Sequence, residues 1–188
     1  AAPDVYKRQI QDGIKISKLR KKKLEEISTE TLKIFPKLSK NNEKLTIRFI
    51  PSFKNISSLN MEDLTTIFNE NFDKEISNGA TFLGPHKDDF EIQINDKNSS
   101  EFSSRGQIRT ATLSIKLGEA NALKNSLSDT PIIVLDDILS ELDFDRRKTV
   151  VNFIREYEQI FLTSPDDSLI KSIVERDDKI FNVNNGNV

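Results

Sequence analysis

One stretch constrains the fold of this chain more than any other. Pro131-Ile132-Ile133-Val134-Leu135 runs without a polar side chain into Asp136-Asp137. The run is too short for an independent helix and too apolar for a surface loop, which predicts a strand buried on both faces. Ile160-Phe161-Leu162 repeats the pattern. Between the two, from about Asp145 to Tyr157, Val150, Val151 and Ile154 fall at helical spacing. Strand, helix and strand in this order predict an α/β sheet with helices packed on its faces. Ligands of such sheets collect at the carboxyl ends of the strands, where Asp136 and Asp137 stand.

Upstream the periodicity is mostly helical. Ile16, Leu19, Leu24 and Ile27 recur at helical spacings between about Ile10 and Thr31, and Pro36 ends or interrupts that helix. Leu45-Thr46-Ile47-Arg48-Phe49 alternates as a strand does, and Leu64, Ile67, Phe68, Phe72 and Ile76 mark a second helix that Gly79 stops. Strand patterns follow at Thr81-Phe82-Leu83 and Phe90–Ile94, with a turn at Asn95–Asn98. Ser103 and Ser104 offer N-caps to a helix bearing Ile108, Ala111, Ile115 and Ala122, and Ile180–Val183 is a last extended stretch. The change of pattern places a boundary near residue 79, between a mainly helical subdomain at 10–79 and an α/β part at 80–188. Residues 1–9 show no periodicity and read as a cloning or sequencing junction outside the fold. Phe49, Phe53, Phe68 and Phe72 lie on apolar faces and read as core.

Charge is unevenly spread. The chain of 188 residues has a formal net charge of −2, yet Ile10–Lys40 holds nine Lys/Arg against four Asp/Glu. A basic segment on an acidic body suits a phosphate-rich partner, since binding needs a local patch and not a basic total. A solvated helix face is the plain alternative. Lys18, Arg20, Lys21, Lys22 and Lys23 are the candidate DNA contacts. The absence of cysteine excludes disulfides, thiol nucleophiles and thiolate metal sites, and fits a reducing cytoplasm. No apolar run approaches the roughly 20 residues of a membrane helix, so the expectation is a cytoplasmic protein without membrane partners.

The chemistry-bearing residues come in a fixed order. Ser103-Ser104-Arg105-Gly106-Gln107-Ile108-Arg109-Thr110 opens a helix, whose free N–H groups and dipole suit a phosphate, and Gly106 allows close approach. The apolar strand follows and ends in Asp136 and Asp137. The first carboxylate is placed to hold Mg²⁺ and the second to orient or deprotonate an attacking water. Ser140-Glu141-Leu142-Asp143 comes next. His86, the only histidine, sits in a turn and reads as a structural hydrogen-bonding group, and Asp88 and Asp89 read as turn carboxylates that could extend a metal site.

Taken together, these blocks resemble the ATPase head of the RecF family, relatives of SMC and ABC-type ATPases. Thr81–Phe90 resembles that family's Gly-Pro-His-basic-Asp-Asp block, and Ser104, Gly106, Gln107 and Arg109 match its Ser-x-Gly-Gln-x-Arg signature. Leu135-Asp136-Asp137 matches its Walker B strand, Ser140–Asp143 its D-loop, and Phe181–Gly186 is similar to how such chains finish. The resemblance implies the C-terminal part of an ABC/SMC-type P-loop ATPase head, a mixed sheet flanked by helices with a mainly helical subdomain inserted before it. It implies Asp136 as metal ligand, Asp137 as catalytic carboxylate, and Ser104, Gly106, Gln107 and Arg109 as nucleotide contacts given in trans by a second subunit. Ser140, Glu141, Leu142 and Asp143 would form the D-loop and Thr163 the switch position. ATP and Mg²⁺ are the implied cofactors. DNA, a second copy of the chain and RecO- and RecR-like proteins are the implied partners, in repair of gapped DNA and stalled forks. Two departures stand out: Arg105 replaces the first signature glycine, and Thr163-Ser164 stands where many ABC ATPases carry a switch histidine.

A P-loop needs Gly-x-x-x-x-Gly-Lys-Ser/Thr. None of the six glycines is followed by Lys-Ser or Lys-Thr, so the 188 residues contain no Walker A. The chain therefore reads as a truncated product, inactive alone, of an ATP hydrolase that clamps DNA as a dimer. An SMC- or RecN-like head is a second reading, for which the preceding residues are too few to form long arms. A non-catalytic remnant serving dimerisation or DNA binding is a third.

Overall fold

The computed structural model describes residues 2–39, 43–53, 61–127 and 129–184, without the side chains of residues 2–7, 61, 64, 65 and 68. The side chains of Leu64 and Phe68, expected on the second helix, and the chain end at Asn185 and Gly186 lie outside the described residues. The chain divides into two compact units, residues 1–122 and 123–188.

The first unit is organised by α1 (Ala2–Leu38), a helix of 37 residues and so about 55 Å long. It begins well before Ile10, and Pro36 sits within its last turn. Its buried stripe is Ile14, Ser17, Thr31, Ile34, Phe35 and Leu38, whereas Ile16 and Leu19 point outward, 45% and 60% exposed. The sequence hides this register because two of the buried residues are hydroxyls, each with a hydrogen-bond acceptor. Ser17 donates to Asp88, and Thr31 donates to the Ile27 carbonyl at 2.8 Å. Burial of a bonded hydroxyl is cheap, so polarity alone does not assign a helix face.

Strands β1 (Leu45–Ile50), β2 (Asp89–Ile94) and β3 (Lys97–Asn98) form an antiparallel sheet in that order. Leu45 pairs with Ile94, Ile47 with Ile92 and Phe49 with Phe90. Asn95 and Asp96, at φ 53° and 61°, make the two-residue hairpin turn between β2 and β3. One face of the sheet closes a core of Phe35, Leu45, Ile94 and Ala111, and a second cluster joins Ile14 to Phe53. Phe53 is buried and Phe49 half-buried, but Phe72 is 38% exposed and so is not core.

The boundary expected near residue 79 does not divide the packing, because the β1–β2 ladder crosses it. Nor do Thr81–Leu83 form a strand. After α2 (Met61–Asn78), Gly79 turns left-handed at φ 61° and the Glu75 carboxylate accepts the Phe82 amide at 2.8 Å. That contact ties the segment to the end of α2, and Gly84 at φ 145° then leads into a 3₁₀ turn at Pro85–Lys87. A short α3 (Ser99–Phe102) precedes α4 (Arg105–Ser126). Gly118 lets α4 lie against α1: a Cβ there would stand 2.8 Å from the Thr31 backbone nitrogen and 2.9 Å from its Cα.

The second unit contains β4 (Ile133–Asp136) and β5 (Ile160–Thr163), paired in parallel with Asp136 opposite Thr163. Helices α5 (Phe144–Ile154) and α6 (Asp167–Ile173) follow their respective strands, as the alternation predicts. Ile133, Leu135, Leu139, Leu142, Val150, Ile154 and Leu169 are buried. The expected burial of the strands on both faces is not found. Val134 is 64% and Phe161 51% exposed, so one face of this pair is covered and the other bare. Ile180–Val183, expected to be a last extended stretch, forms no strand. The mixed sheet character is thus carried by two sheets, one antiparallel and one parallel. No helix among the described residues is long and apolar enough to cross a membrane.

Candidate functional site

The apolar side chains of Ile133 and Leu135 hold β4 in the second unit, and its period-two alternation leaves Asp136 exposed at the carboxyl end. Thr163, at the end of β5, donates its hydroxyl to Asp136 Oδ1 at 2.5 Å. The Asp137 amide donates to both the hydroxyl oxygen and the carbonyl of Thr163, at 3.1 and 3.2 Å. Asp137 itself adopts a left-handed conformation, φ 53° and ψ 14°, and its side chain caps nothing. A left-handed non-glycine residue costs about 1 kcal/mol. This conformation turns the chain sharply out of the strand and leaves the second carboxylate in solvent.

The turn leads into 3₁₀ structure at Ile138–Glu141, which carries Ser140 and Glu141. Sequence reasoning missed the residue that holds it. Arg147 donates from Nε to the Leu139 carbonyl at 2.8 Å and from its guanidinium to the Ser140 carbonyl at 3.3 Å. Asp143 caps α5 by accepting the Arg146 amide at 3.1 Å, so this acid shapes the backbone, while Leu142 is buried. Asp166 caps α6 and its carboxyl is held below the usual range. The Ser168 hydroxyl is the main cause, with the Leu169 amide next and Arg147 adding a smaller charge effect.

The signature residues open α4 in the first unit. Ser104 and Gln107 form a reciprocal capping pair: Ser104 Oγ accepts the Gln107 amide at 3.2 Å, and Gln107 Oε1 accepts the Ser104 amide at 2.7 Å. The Ser104 hydroxyl proton is left to donate. Ser104, Arg105, Gly106 and Arg109 are exposed. A Cβ on Gly106 would meet nothing closer than Ser104 Oγ at 4.0 Å, so the approach to that hydroxyl is open. Gln107 is fixed from the far side by Glu43, whose Oε1 accepts from Gln107 Nε2 at 2.6 Å and whose Oε2 accepts from Ser39 at 2.8 Å. No spacing rule could have linked Glu43 to a motif 64 residues away.

The Gly-Pro-His block has a structural task. The Asp88 side chain is only 2% exposed, not a turn carboxylate on the surface and not a metal ligand in waiting. It accepts from the Ser17 hydroxyl and from the Ser52 amide at 2.9 Å, and pairs with Arg20 at 3.7 Å. Arg20 also donates to the Pro85 carbonyl. Asp89 is exposed, and His86 Nε2 lies 3.2 Å from the Thr81 carbonyl, in keeping with a structural role. Among the proposed DNA contacts, then, Arg20 is committed to the protein. Lys21 pairs with Glu25 at 3.9 Å and Lys23 with Glu26 at 2.7 Å, while Lys18 and Lys22 stand exposed on the same helix.

Among the described residues no three His, Asp or Glu side chains gather as a metal cage. A lone exposed carboxylate at a strand end still fits Mg²⁺, which keeps several waters and takes one or two protein oxygens beside a phosphate.

No family model matches the sequence. The chain is similar to the DNA replication and repair protein RecF of Clostridium novyi (strain NT), 36% identical over 186 residues, covering 98% of this chain and 51% of that one. The RecF of Clostridium botulinum (strain Loch Maree / Type A3) is 33% identical over the same share. Among solved structures, the recombination mediator protein RecF with ATP, of the RecFOR pathway, superposes with a TM-score of 0.73 and 30% identity, covering 86% of this chain and 44% of that one. The chain thus spans about half the length of the relatives it matches, and that shared half has the fold of RecF, an ABC/SMC-type ATPase. In sequence and in fold, this chain matches the RecF family.

Proposed function

We propose that this chain carries the Walker B, D-loop and signature part of a RecF-type, ATP-dependent DNA-binding protein of DNA replication and repair. The observation that carries the reading is the pair of exposed carboxylates at the end of parallel strand β4, in a chain similar to RecF along nearly its whole length. Asp136 would hold Mg²⁺ and Asp137 would orient or deprotonate water. Bound Mg²⁺·ATP would supply the electrophilic phosphorus and the charge neutralisation. Ser104, with its hydroxyl proton free, and the open backbone at Gly106 would donate to a phosphate held by a second subunit. Gln107 supports Ser104, and Arg109 adds positive charge at the same helix start. Arg147 would hold the Ser140–Asp143 turn, and Thr163 would close the strand pair beside Asp136. Lys18 and Lys22 are the cations of α1 best placed for DNA. A homodimer closed by ATP, with RecO- and RecR-like partners, is the family's way of using such parts, and a cytoplasmic location follows from that use.

The test joins this chain to the remaining half of the Clostridium novyi relative and measures ATP turnover. Expected are DNA-stimulated hydrolysis by the joined protein and none by the 188 residues alone. Asp137→Asn should reduce turnover by about 100-fold or more. Turnover that survives Asp137→Asn would remove Asp137 from the mechanism. A folded joined protein that neither binds nor hydrolyses ATP would favour the interaction-module reading.

A further inference from the structure

Resting on the ATPase reading above, we propose that Thr163 is a positioning residue for the Asp136 carboxylate and does not sense the γ-phosphate. The argument is an inventory of one hydroxyl group. A threonine hydroxyl has one proton to donate and two lone pairs to accept with. The proton goes to Asp136 Oδ1 at 2.5 Å. One lone pair takes the Asp137 amide at 3.1 Å. What remains is a single lone pair, and a terminal phosphate near neutral pH offers acceptors and almost no donor. Thr163 could contact a phosphate only by releasing Asp136.

The backbone makes that release costly. Thr163 stands opposite Asp136 in the parallel ladder, and its carbonyl also accepts the Asp137 amide at 3.2 Å. Thr163 therefore ties down one oxygen of the first carboxylate and the peptide of the second. With Oδ1 held, Asp136 keeps Oδ2 for a cation or its water shell. Outer partners of this kind set the orientation of a metal-binding carboxylate, and losing them typically lowers metal affinity about 10- to 100-fold. Because Thr163 is β-branched, its χ1 is already restricted, which limits where its hydroxyl oxygen can lie.

The test uses the 188-residue chain itself, with Thr163→Val to remove the hydroxyl at constant shape and Thr163→Ser to keep it. Two NMR signals are followed: the carboxylate carbon of Asp136 in aspartate-labelled protein, and amide exchange at Asp137. The Val variant should shift the Asp136 carbon and speed Asp137 exchange about 10-fold, the size expected for losing a bond of roughly 1–2 kcal/mol. The Ser variant should return both signals close to the starting protein. An Asp136 carbon that does not respond to Thr163→Val would overturn the proposal. The joined, ATP-hydrolysing protein gives a second readout that merely structural damage would not produce. Positioning predicts that Thr163→Val raises the Mg²⁺ needed for half-maximal turnover about 10-fold at unchanged KM for ATP. A raised KM for ATP at unchanged Mg²⁺ demand would instead make Thr163 a phosphate sensor. Should the joined protein lack ATPase activity altogether, the function above fails while the NMR result still decides the role of Thr163.

Discussion

Glu43 and Gln107 meet at 2.6 Å, carboxylate to carboxamide, and this contact joins the segment just before β1 to the first turn of the signature helix. Gln107 has both ends of its amide employed, one on Glu43 and one on the Ser104 backbone. The geometry of the exposed Ser104 hydroxyl is thus governed by a residue outside the motif. Glu43→Ala should leave the Gln107 amide without its acceptor and cost about 1–2 kcal/mol of stability. Urea unfolding checks it, as a lowered midpoint at an unchanged slope. A midpoint equal to that of the starting chain would show that Gln107 does not depend on Glu43.

Asp88 and Asp89 are neighbours with opposite fates. Asp88→Ala strips acceptors from the Ser17 hydroxyl, the Ser52 amide and the Arg20 guanidinium. The expected loss is about 2–3 kcal/mol, the usual result of orphaning buried donors. Asp89→Ala, at an exposed position, should stay within about 0.5 kcal/mol. Thermal or urea melts of the two variants distinguish them, and equal losses would contradict the buried network.

Gly118→Ala tests how closely α4 approaches α1. The added methyl would crowd the Thr31 hydroxyl and its backbone, and backbone cannot swing aside as a long side chain does. Overpacking of this type costs about 1–3 kcal/mol even though alanine favours helix. A melting temperature that rises instead would mean the helices lie farther apart than described.

Acid sensitivity should involve Glu30. Its carboxyl is held below the usual glutamate value of 4.5, first by the hydrogen bond from Lys33 and then by that from Asn121, against the cost of burial. A depressed folded-state value means stability that is fully present above pH 4.5 and is lost as the pH falls through the lower folded value. The sign is therefore destabilisation on acidification. Urea midpoints of the starting chain should fall faster below pH 4.5 than those of Glu30→Gln, and parallel curves would remove Glu30 from the effect.

What could be read from sequence followed the strength of the local signal. β4, β5 and α5 were legible because apolar runs and helical spacing alternate there. The start of the signature helix was legible because Ser104 offers an N-cap in sequence, while its reciprocal bond with Gln107 shows only in space. The stripe of α1 was misread because Ser17 and Thr31 are buried through bonds that sequence cannot show. Thr81–Leu83 looked like a strand, and the distant Glu75 contact and the Gly79 and Gly84 turns prevent it. Asp88 and Arg20 were each assigned to the surface because their mutual partnership spans most of the first unit's sequence. The Arg147 hold on the Leu139 and Ser140 carbonyls was likewise beyond reach, since a side chain bonding to backbone leaves no pattern of residue types.

The bare face of the β4–β5 pair has a consequence for cooperativity. Val134 and Phe161 are apolar, yet more than half of each remains in water, so these two side chains recover little of the hydrophobic energy they could yield. The ladder has only the four residue pairs from Ile133–Ile160 to Asp136–Thr163 to close it. Opening of that pair therefore costs less than opening the β1–β2 ladder, whose inner residues join a core with α1 and α4. Hydrogen exchange through the second unit should accordingly run by local opening, well below the free energy of global unfolding. A cover laid on Val134 and Phe161 would slow the exchange of amides across the whole pair, including the peptide that joins Asp136 to Asp137.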